Sequence, residues 1–375
     1  MFPFLKEVIR SPGGGSLKLH SFEEKFNPER GEMGIVDGLM ISDTGTAYPI
    51  CEGIPRMLPD SLETAEGFCF KYAGRISALS SPPRKVFETR SSHSFRSEKG
   101  FEFQWMKWGG EKLYGMDEKE WEVHFLGRLM PASFDVASLR GKTVLEIGCG
   151  PGLLARVFSP LCREYVGLDL TTGVDIAQQR TRDLPNVTFI QADLMSAPLA
   201  KGSFDIVLAV GVLNATVDTA QAFSRIASLV KEGGLLVVWV HPRKGRFFEI
   251  ANRVFRSFTT RLSPALQYYV SYLMLPLIVL FPPTTLNRLG KNSLKELTQS
   301  VFGWLSPYFQ HRHSPEEVKA WFTAGGFRDI TMTRIPAGAV GTLARHHIHP
   351  PAERVQFAIH GPSPHTTVNP PRAIP

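Results

Sequence analysis

Three glycines spaced two residues apart, Gly148, Gly150 and Gly152, follow an apolar run that begins at Val144. Glycine has no Cβ, so the backbone at these positions can turn sharply and a ligand can lie against it. A helical pattern begins at Leu153, and the first N–H groups of a helix have no intrahelical partner. The spacing therefore predicts a strand, a tight turn and a helix that hold a ligand against bare backbone. A tight turn without a ligand is the alternative.

The spacing does not fit two common nucleotide motifs. A dinucleotide site needs G-x-G-x-x-G/A, but the residue three after Gly150 is Leu153. A phosphate-binding loop needs G-K-[ST], which does not follow these glycines. Acids stand near the ends of the next two apolar runs, at Asp169 and Asp193. An acid about 20 residues beyond such a turn can accept both hydroxyls of a ribose, so Asp169 indicates a nucleoside-type ligand.

Together these residues resemble the motifs of the class I S-adenosylmethionine (SAM) methyltransferases, specifically the group called type 11. The resemblance covers about residues 139–242 well and 300–336 more loosely. It implies an α/β fold with a doubly wound, Rossmann-like sheet of seven strands, the last of them antiparallel. It also implies SAM as the cofactor, with Asp193 beside the adenine. The implied cofactor-binding residues are Glu146, Gly148, Cys149, Gly150, Gly152, Asp169, Leu170, Asp193, Leu194 and Val210.

The elements that must position these residues continue along the chain. Apolar runs at 203–211 and 233–240 predict a fourth and a fifth strand, with helices as the connections that a parallel sheet requires. Asp218 predicts a helix start, and Gly233 predicts the left-handed stop of that helix after an apolar face ending at Val230.

Near the carboxyl end, Ser314-Pro-Glu-Glu317 predicts a further helix, with serine as the N-cap, proline at the first position and a capping-box glutamate. The segments 327–335 and 339–344 predict the last two strands. We therefore expect the methyltransferase-like domain to cover residues 139–345, with an insert at 243–300.

Four segments precede this domain. Residues 1–32 carry little pattern, and residues 33–60 predict two strands around an Asp-Thr-Gly turn. The second segment resembles the small β domain that activates tRNA and protein methyltransferases, but without its zinc-binding cysteine pairs, so no metal is expected there. Residues 61–100 predict a linker or lid. Residues 101–138 predict an aromatic helical cap, which either closes over the cofactor or only packs on the core.

The insert has an unusual composition, because arginines alternate with apolar residues and 263–287 carries no charge. Three interpretations remain open for it. It could form a helical lid over an apolar substrate pocket, or a membrane-surface contact through 243–287. A spanning helix is disfavoured, since the apolar run is shorter than about 20 residues and contains Pro276. The proline-rich tail, 346–375, is predicted to be disordered.

Composition sets wider bounds. With 375 residues, 43% of them hydrophobic, the chain can bury a sizeable core in about two domains, or in one with insertions. A net charge of +7 permits nucleic acid, anionic lipid or an acidic small substrate without selecting one. The four cysteines form no C-x-x-C pair, which indicates neither a zinc site nor a disulfide framework. Together with an N-terminus that lacks a signal-peptide pattern, this predicts a cytoplasmic protein, with a peripheral membrane location as the alternative.

Methyl transfer requires the acceptor atom about 3 Å from the methyl group. A base is needed only where the acceptor must lose a proton. The candidates are His241, His311 and His313. His311 and His313 would share one side of an extended chain, but no motif supplies further metal ligands, so no metal is predicted. Asn214 stands where related sequences often have histidine, and an amide cannot act as a base.

Three functions follow from these observations. The first is a SAM-dependent methyltransferase that acts on an O, N or C atom of a small, apolar metabolite such as a lipid, quinone or natural product. The second is an RNA or protein methyltransferase, although the sequence shows no strong nucleic-acid signal. The third is a non-catalytic SAM-fold partner protein at a membrane surface, which the intact glycine and acid motif argues against. The acceptor and the oligomeric state are not indicated.

Overall fold

The computed structural model describes residues 1, 3–12, 14–79, 92–109, 118–131, 134–276, 293–334 and 336–344. The strands in these ranges form two sheets. They are β1 (Leu17–Asn27), β2 (Glu32–Ser42), β3 (Ala47–Cys51), β4 (Ile54–Pro55), β5 (Thr143–Ile147), β6 (Glu164–Asp169), β7 (Val187–Gln191), β8 (Phe204–Val210), β9 (Val230–Trp239), β10 (Phe327–Met332) and β11 (Gly338–Leu343).

Helices connect and cover these strands. They are α1 (Pro3–Val8), α2 (Ser61–Thr64), α3 (Glu66–Lys71), α4 (Ala73–Ser77), α5 (Ser92–Trp108), α6 (Glu118–Arg128), α7 (Leu153–Phe158), α8 (Gly173–Arg180), α9 (Thr219–Ala227), α10 (Arg246–Thr259), α11 (Pro264–Leu273), α12 (Leu294–Leu305) and α13 (Pro315–Ala324). Short 3-10 turns lie at Val136–Leu139, Ser159–Leu161, Leu194–Ser196 and Leu213–Ala215.

The large sheet has seven strands in the order β10-β11-β9-β8-β5-β6-β7. The five strands from β5 to β9 are parallel, and β11 runs antiparallel to β9. This confirms the predicted doubly wound α/β sheet with an antiparallel last strand. From β5 the chain winds outward to β6 and β7, and then returns to add β8 and β9 on the other side. The order therefore reverses between β5 and β8, and ligands of such sheets bind at the carboxyl ends of the strands at this point.

The sequence explains why these segments are strands. Every residue of β5 and β7 is buried, as expected for short apolar runs covered by helices on both faces. One boundary differs from the prediction. α9 begins after the Asp218 cap as expected but ends at Ala227, and β9 already begins at Val230. Gly233, with φ +71°, lies inside that strand and is not a helix stop. The apolar Val230 fits a strand as well as it fits a helix face.

The N-terminal sheet contains β1 to β4 in sequence order, all antiparallel. The predicted two strands and turn correspond to β2 and β3. The region 1–32, in which no element was predicted, holds α1 and the 11-residue β1. No residue of β1 is fully buried, which explains why its sequence lacks an apolar pattern.

Two groups of helices surround the carboxyl ends of the large sheet. α5 and α6 contain the aromatic residues of the predicted cap, although α5 already begins at Ser92, inside the predicted linker 61–100. The first part of that linker is also helical, as α2 to α4. The insert contributes α10, α11 and the start of α12. None of the helices that the structure describes is long and apolar enough to cross a membrane. The end of the apolar run, from 277 to 292, and the tail 346–375 lie outside the described residues.

Candidate functional site

The glycine turn lies at the carboxyl end of β5, where the strand order reverses. Gly148 and Gly150 have φ values of +72° and +47°, which side chains other than glycine rarely adopt. A Cβ on Gly148 would lie 2.5 Å from Cγ2 of Val212, so that position also has no room for a side chain. The N–H of Gly148 donates to the carbonyl of Leu168 at 2.7 Å, which fixes the turn to the end of β6. Gly152 stands before the first residue of α7, as predicted.

Asp169 ends β6 and its carboxylate faces the turn. Its Oδ2 accepts from the N–H of Gly150 at 2.8 Å, and its Oδ1 accepts from the N–H and the hydroxyl of Thr171 at 2.8 and 2.7 Å. Burial raises the pKa of this carboxyl, whereas the hydrogen bonds from Thr171 and Gly150 act in the opposite direction. A carboxylate has about four acceptor positions, so Asp169 can still accept a hydroxyl. This capacity suits a ribose at the edge of the turn.

Asp193 follows β7 and accepts from the N–H of Met195 at 2.9 Å, which caps a short 3-10 turn. Leu194 in that turn is buried, while Leu170 and Val210 are half-buried at the ends of β6 and β8. The N–H of Ala192 donates to the carbonyl of Asp169 at 2.8 Å, so the ends of β6 and β7 are tied together. The structure thus places the predicted cofactor-binding residues at one edge of the sheet.

Glu146 lies beneath the turn, inside the protein. The hydroxyl of Tyr165 donates to its Oε2, and burial raises the pKa of this carboxyl to about 8. Cys149 is also buried, and burial raises the pKa of its thiol well above the ordinary value. A thiol that stays protonated is a poor nucleophile, so Cys149 fills space beside the turn and does not act as a nucleophile.

Trp105 of α5 lies against the glycine turn from outside. A Cβ on Gly150 would come within 3.1 Å of its indole, and a Cβ on Gly173 within 2.8 Å. Glu102, one turn earlier in α5, accepts a hydrogen bond from the hydroxyl of Thr172 at 3.3 Å. Further along the same helix, Trp108 packs against Tyr268 of the insert, with ring centroids 5.9 Å apart. α5 therefore contacts both the turn and the insert.

The three predicted histidines, His241, His311 and His313, lie close to one another next to the loop that follows β8. The backbone N–H of His311 donates to the carbonyl of Asn214, and that of His313 donates to the carbonyl of His241, at 2.8 and 2.9 Å. Three buried side-chain atoms at this place have no hydrogen-bond partner among the described residues: Oδ1 of Asn214, Nδ1 of His241 and Nε2 of His313. Such a concentration of unsatisfied polar atoms is typical of a binding site rather than a packed core.

The histidines differ in their surroundings. Burial, aided by the positive charges of Arg312, Arg256 and Lys244, lowers the pKa of His241 to about 4. His313 lies with Nδ1 3.6 Å from the carboxylate of Glu317, and burial lowers its pKa as well. His311 has Nε2 3.0 Å from the carbonyl of Thr216. A carbonyl only accepts, so Nε2 of His311 carries a hydrogen, and in the neutral ring Nδ1 then has the lone pair.

A cleft of about 820 Å³ opens beside His311 and His313, between α10 and the segment 308–313. This is the size of a small-molecule site. No group of three or more His, Cys, Asp or Glu side chains that could hold a metal ion occurs in the part of the chain that the structure describes.

Several contributors to the site were not predicted. Tyr165 belongs to no recognisable motif, since its contact with Glu146 forms only on folding. Trp105 lies in the aromatic cap that was expected either to close over the cofactor or to pack on the core. Glu317 was predicted as a capping residue, and it does accept from the N–H of Ser314 at 2.8 Å, but it also lies beside His313. The arginines of the insert were noted for their composition only. The spacing of Arg253 and Arg256, three residues apart, could have indicated that these side chains are neighbours on one helix surface.

Comparison with known proteins agrees with this geometry. Residues 145–238 match the family model described as a methyltransferase domain. An uncharacterized methyltransferase of Mycobacteroides abscessus is 31% identical over 142 residues, which is 36% of this chain and 54% of the relative. A ubiquinone biosynthesis O-methyltransferase of Rhodopseudomonas palustris is 31% identical over 117 residues, which is 31% of this chain and 46% of the relative. The chain thus spans about half the length of these curated relatives.

Among solved structures, a Haemonchus contortus phosphoethanolamine N-methyltransferase in complex with phosphomonomethylethanolamine and S-adenosylhomocysteine is similar to this chain. The match has a TM-score of 0.37 and 19% identity, and it covers 62% of this chain and 42% of the other.

Proposed function

We propose that this chain, whose residues 145–238 form a methyltransferase domain of the class I, SAM-dependent type, transfers a methyl group to a lipid-like acceptor at a membrane surface. One observation carries the proposal. A glycine turn, hydrogen-bonded to the buried acid Asp169, lies at the switch point of the sheet, and the cleft beside His311 has the amphipathic helix α10 as one wall.

The residues around the turn fit the cofactor. SAM, when bound, supplies a methyl group on a positively charged sulfur. Gly148 and Gly150 give the turn its left-handed backbone, and Asp169, which Gly150 holds at the turn, has an acceptor position left for a ribose hydroxyl. Trp105 lies over the turn, next to Gly150 and Gly173. The work of this chain is then to hold the acceptor in line with the methyl group, which supplies much of the rate in such reactions.

His311 is the residue that we assign as the base for an acceptor that must lose a proton. It lines the cleft, and the carbonyl of Thr216 fixes the tautomer that leaves Nδ1 as the acceptor. His241 is a weaker base because its pKa is lowered to about 4. Nε2 of His313 is buried, so a substrate proton cannot reach it without a movement of its neighbours.

The insert supports the lipid-like acceptor. Its inner surface packs on α5 through Tyr268, as a lid would. Its outer surface exposes an apolar stripe of α10: Phe247, Ile250, Val254 and Phe258. Exposed arginines flank the stripe at 246, 253 and 261. Apolar side chains next to basic ones match the interface of a bilayer that contains anionic lipids.

The test is methyl transfer from SAM labelled in the methyl group. The full chain is incubated with total lipid extract, with total RNA and with a soluble protein extract, and the label in each fraction is counted. The proposal predicts label in the lipid fraction, absent with the Asp169→Ala variant. Label in RNA or protein alone would contradict it. Absence of label in all three, in a protein that binds S-adenosylhomocysteine, would instead support a non-catalytic partner protein.

A further inference from the structure

The cleft beside the histidines is lined by an excess of positive charge. Only one acidic residue, Glu249, faces six arginines along its walls. The arginines come from three parts of the chain: α5, the insert and the segment after α12. They are Arg96, Arg243, Arg253, Arg256, Arg261 and Arg312.

Part of this charge is balanced inside the protein. Arg243 donates to Glu317 at 2.7 Å, and Nε of Arg312 lies 3.7 Å from the carboxylate of Glu249. Arg256 donates to the carbonyls of Trp304 and Pro307, which carry no net charge. Arg96, Arg253 and Arg261 form no ion pair with any acid in the described part of the chain.

The surroundings of the two least exposed arginines of the cleft, Arg256 and Arg312, disfavour their charged forms. The side chain of Arg312 is only 9% exposed, and its Nε has no hydrogen-bond partner within the described ranges. Burial, and then the charge of Arg312, lower the pKa of Arg256 to about 10. Two guanidinium groups that are close together and removed from water repel each other. An anion in the cleft would offset both the repulsion and the missing hydrogen bond.

We propose that this cleft binds a phosphate or diphosphate group carried by the methyl acceptor. The inference rests on the proposed function and names the polar part of its substrate. Guanidinium groups form paired hydrogen bonds with phosphate oxygens, and a cluster of several arginines suits a group with two or more negative charges. The volume of the cleft admits one head group of this size.

The position of the cleft explains how this group would direct the reaction. His311 lines the same cleft and is tied to Asn214 in the loop after β8, and Val212 of that loop lies against Gly148 of the glycine turn. A phosphate held by Arg253 and Arg261 would therefore fix the acceptor at one end while its reacting atom reaches towards His311. The apolar stripe of α10 lies on the helix that carries Arg253, so the apolar part of the same acceptor can remain in a membrane. This arrangement modifies the expectation of a purely apolar substrate: an amphiphile fits better.

The experiment measures binding of pyrophosphate to the full chain by calorimetry at low salt. Arg253→Gln combined with Arg261→Gln removes two exposed charges without removing a partner of an acid. We expect this variant to bind pyrophosphate at least about tenfold more weakly. The matched control is Arg225→Gln, an exposed arginine of α9 outside the cleft, which should bind as the wild type does. No binding by the wild type, or equal binding by wild type and double variant, would overturn the proposal.

Two further measurements accompany this titration. The first identifies the source of the phosphate group, and the second distinguishes failure of the anion site from failure of the proposed methyltransferase function. Vesicles of phosphatidylcholine with phosphatidic acid test whether the phosphate belongs to a lipid. If it does, pyrophosphate should compete with these vesicles for binding to the wild-type protein. Pyrophosphate binding without such competition supports a soluble phosphorylated acceptor. Binding of an RNA oligomer that pyrophosphate does not displace would overturn the proposal. S-adenosylhomocysteine is titrated into the same samples. Absence of its binding would refute the methyltransferase function. If S-adenosylhomocysteine binds and pyrophosphate does not, only the anion site is refuted.

Discussion

Two buried acids at the cofactor edge, Glu146 and Asp169, illustrate how neighbours set the state of a side chain. Asp169 receives hydrogen bonds from two backbone N–H groups and a hydroxyl, all of which favour its charged form. Glu146 receives one hydrogen bond, from Tyr165, and is enclosed on all sides. We therefore expect Asp169 to act as the charged acceptor of the site and Glu146 to keep its proton near neutral pH, with consequences for stability.

The state of Glu146 gives a prediction for stability. In the unfolded chain this carboxyl titrates near 4.5, whereas in the folded protein its pKa is about 8. Between these values the folded state binds one more proton than the unfolded state, so the free energy of unfolding must fall as the pH rises from about 4.5 to 8. Glu146→Gln removes this term and should make the protein more stable than the wild type at pH 8, but not at pH 4.5.

Thermal melts from pH 4.5 to 9 measure the effect. Glu66→Gln, at an exposed position of α3, is the control and should follow the wild-type profile. Parallel profiles for Glu146→Gln and the wild type would show that Glu146 is charged in the folded protein.

Many site residues could be predicted from the sequence because their roles depend on local structure. A glycine turn and an acid at a strand end are both recognisable within a few residues, and the structure brings Gly150 and Asp169 into hydrogen-bond contact. Trp105 belongs to the predicted aromatic cap, but the sequence left open whether that cap closes over the cofactor or only packs on the core. Arg312 shows a further limit, because its charge disfavours the charged form of Arg256 only after folding brings both side chains into one cleft.

At the scale of elements, α10 differs from an ordinary surface helix in which of its sides is apolar. Its buried side holds Asn252 and Arg256, which bond to the segment 304–310, while its exposed side is apolar. This is the reverse of an ordinary surface helix, which buries its apolar stripe. This reversal is the reason that we propose a membrane contact for this helix.

The membrane contact gives a second prediction. Phe247 is 90% exposed and Val254 is 57% exposed. Replacing both by serine should reduce the partition of the protein onto vesicles of phosphatidylcholine and phosphatidylglycerol by tenfold or more, since burying each such side chain contributes about 1.5–3 kcal/mol. Sedimentation with vesicles measures the partition. Met106→Ser, at an exposed position of α5, is the control for lost apolar surface and should leave it unchanged. Equal sedimentation of the wild type and the double variant would contradict the account.

Elements could be predicted wherever burial gave them a clear pattern. The strands β5 to β8 and the helix α13, with its serine cap and capping box, were predicted nearly to the residue. β1 was missed because its side chains are exposed or half-buried, so no apolar alternation marks it. The sequence could not predict which elements line the cleft, because α10 and the segment 308–313 meet only through tertiary contacts.

At the scale of the whole molecule, the small N-terminal sheet is joined to the large one. The N–H of Met57 donates to the carbonyl of Gln191 at 2.7 Å, so the chain just after β4 continues along the edge strand β7. Arg30 pairs with Glu164 at 2.6 Å, and both side chains are nearly buried. Apolar residues of both parts belong to one continuous core. We propose that this sheet supports the edge of the cofactor site, which is the role that the resemblance predicted from its sequence would imply.

The most direct test of the account is the calorimetric binding of S-adenosylhomocysteine to the full chain and to Asp169→Ala. The account predicts binding by the wild type and a loss of about 1.5–3 kcal/mol in the variant, because a charged acceptor of hydrogen bonds is removed. Asp43→Ala, at an exposed turn far from the site in sequence, should bind as the wild type does. If the wild type does not bind, or if Asp169→Ala binds equally well, the glycine turn and its acid are not the cofactor site and the central claim is wrong.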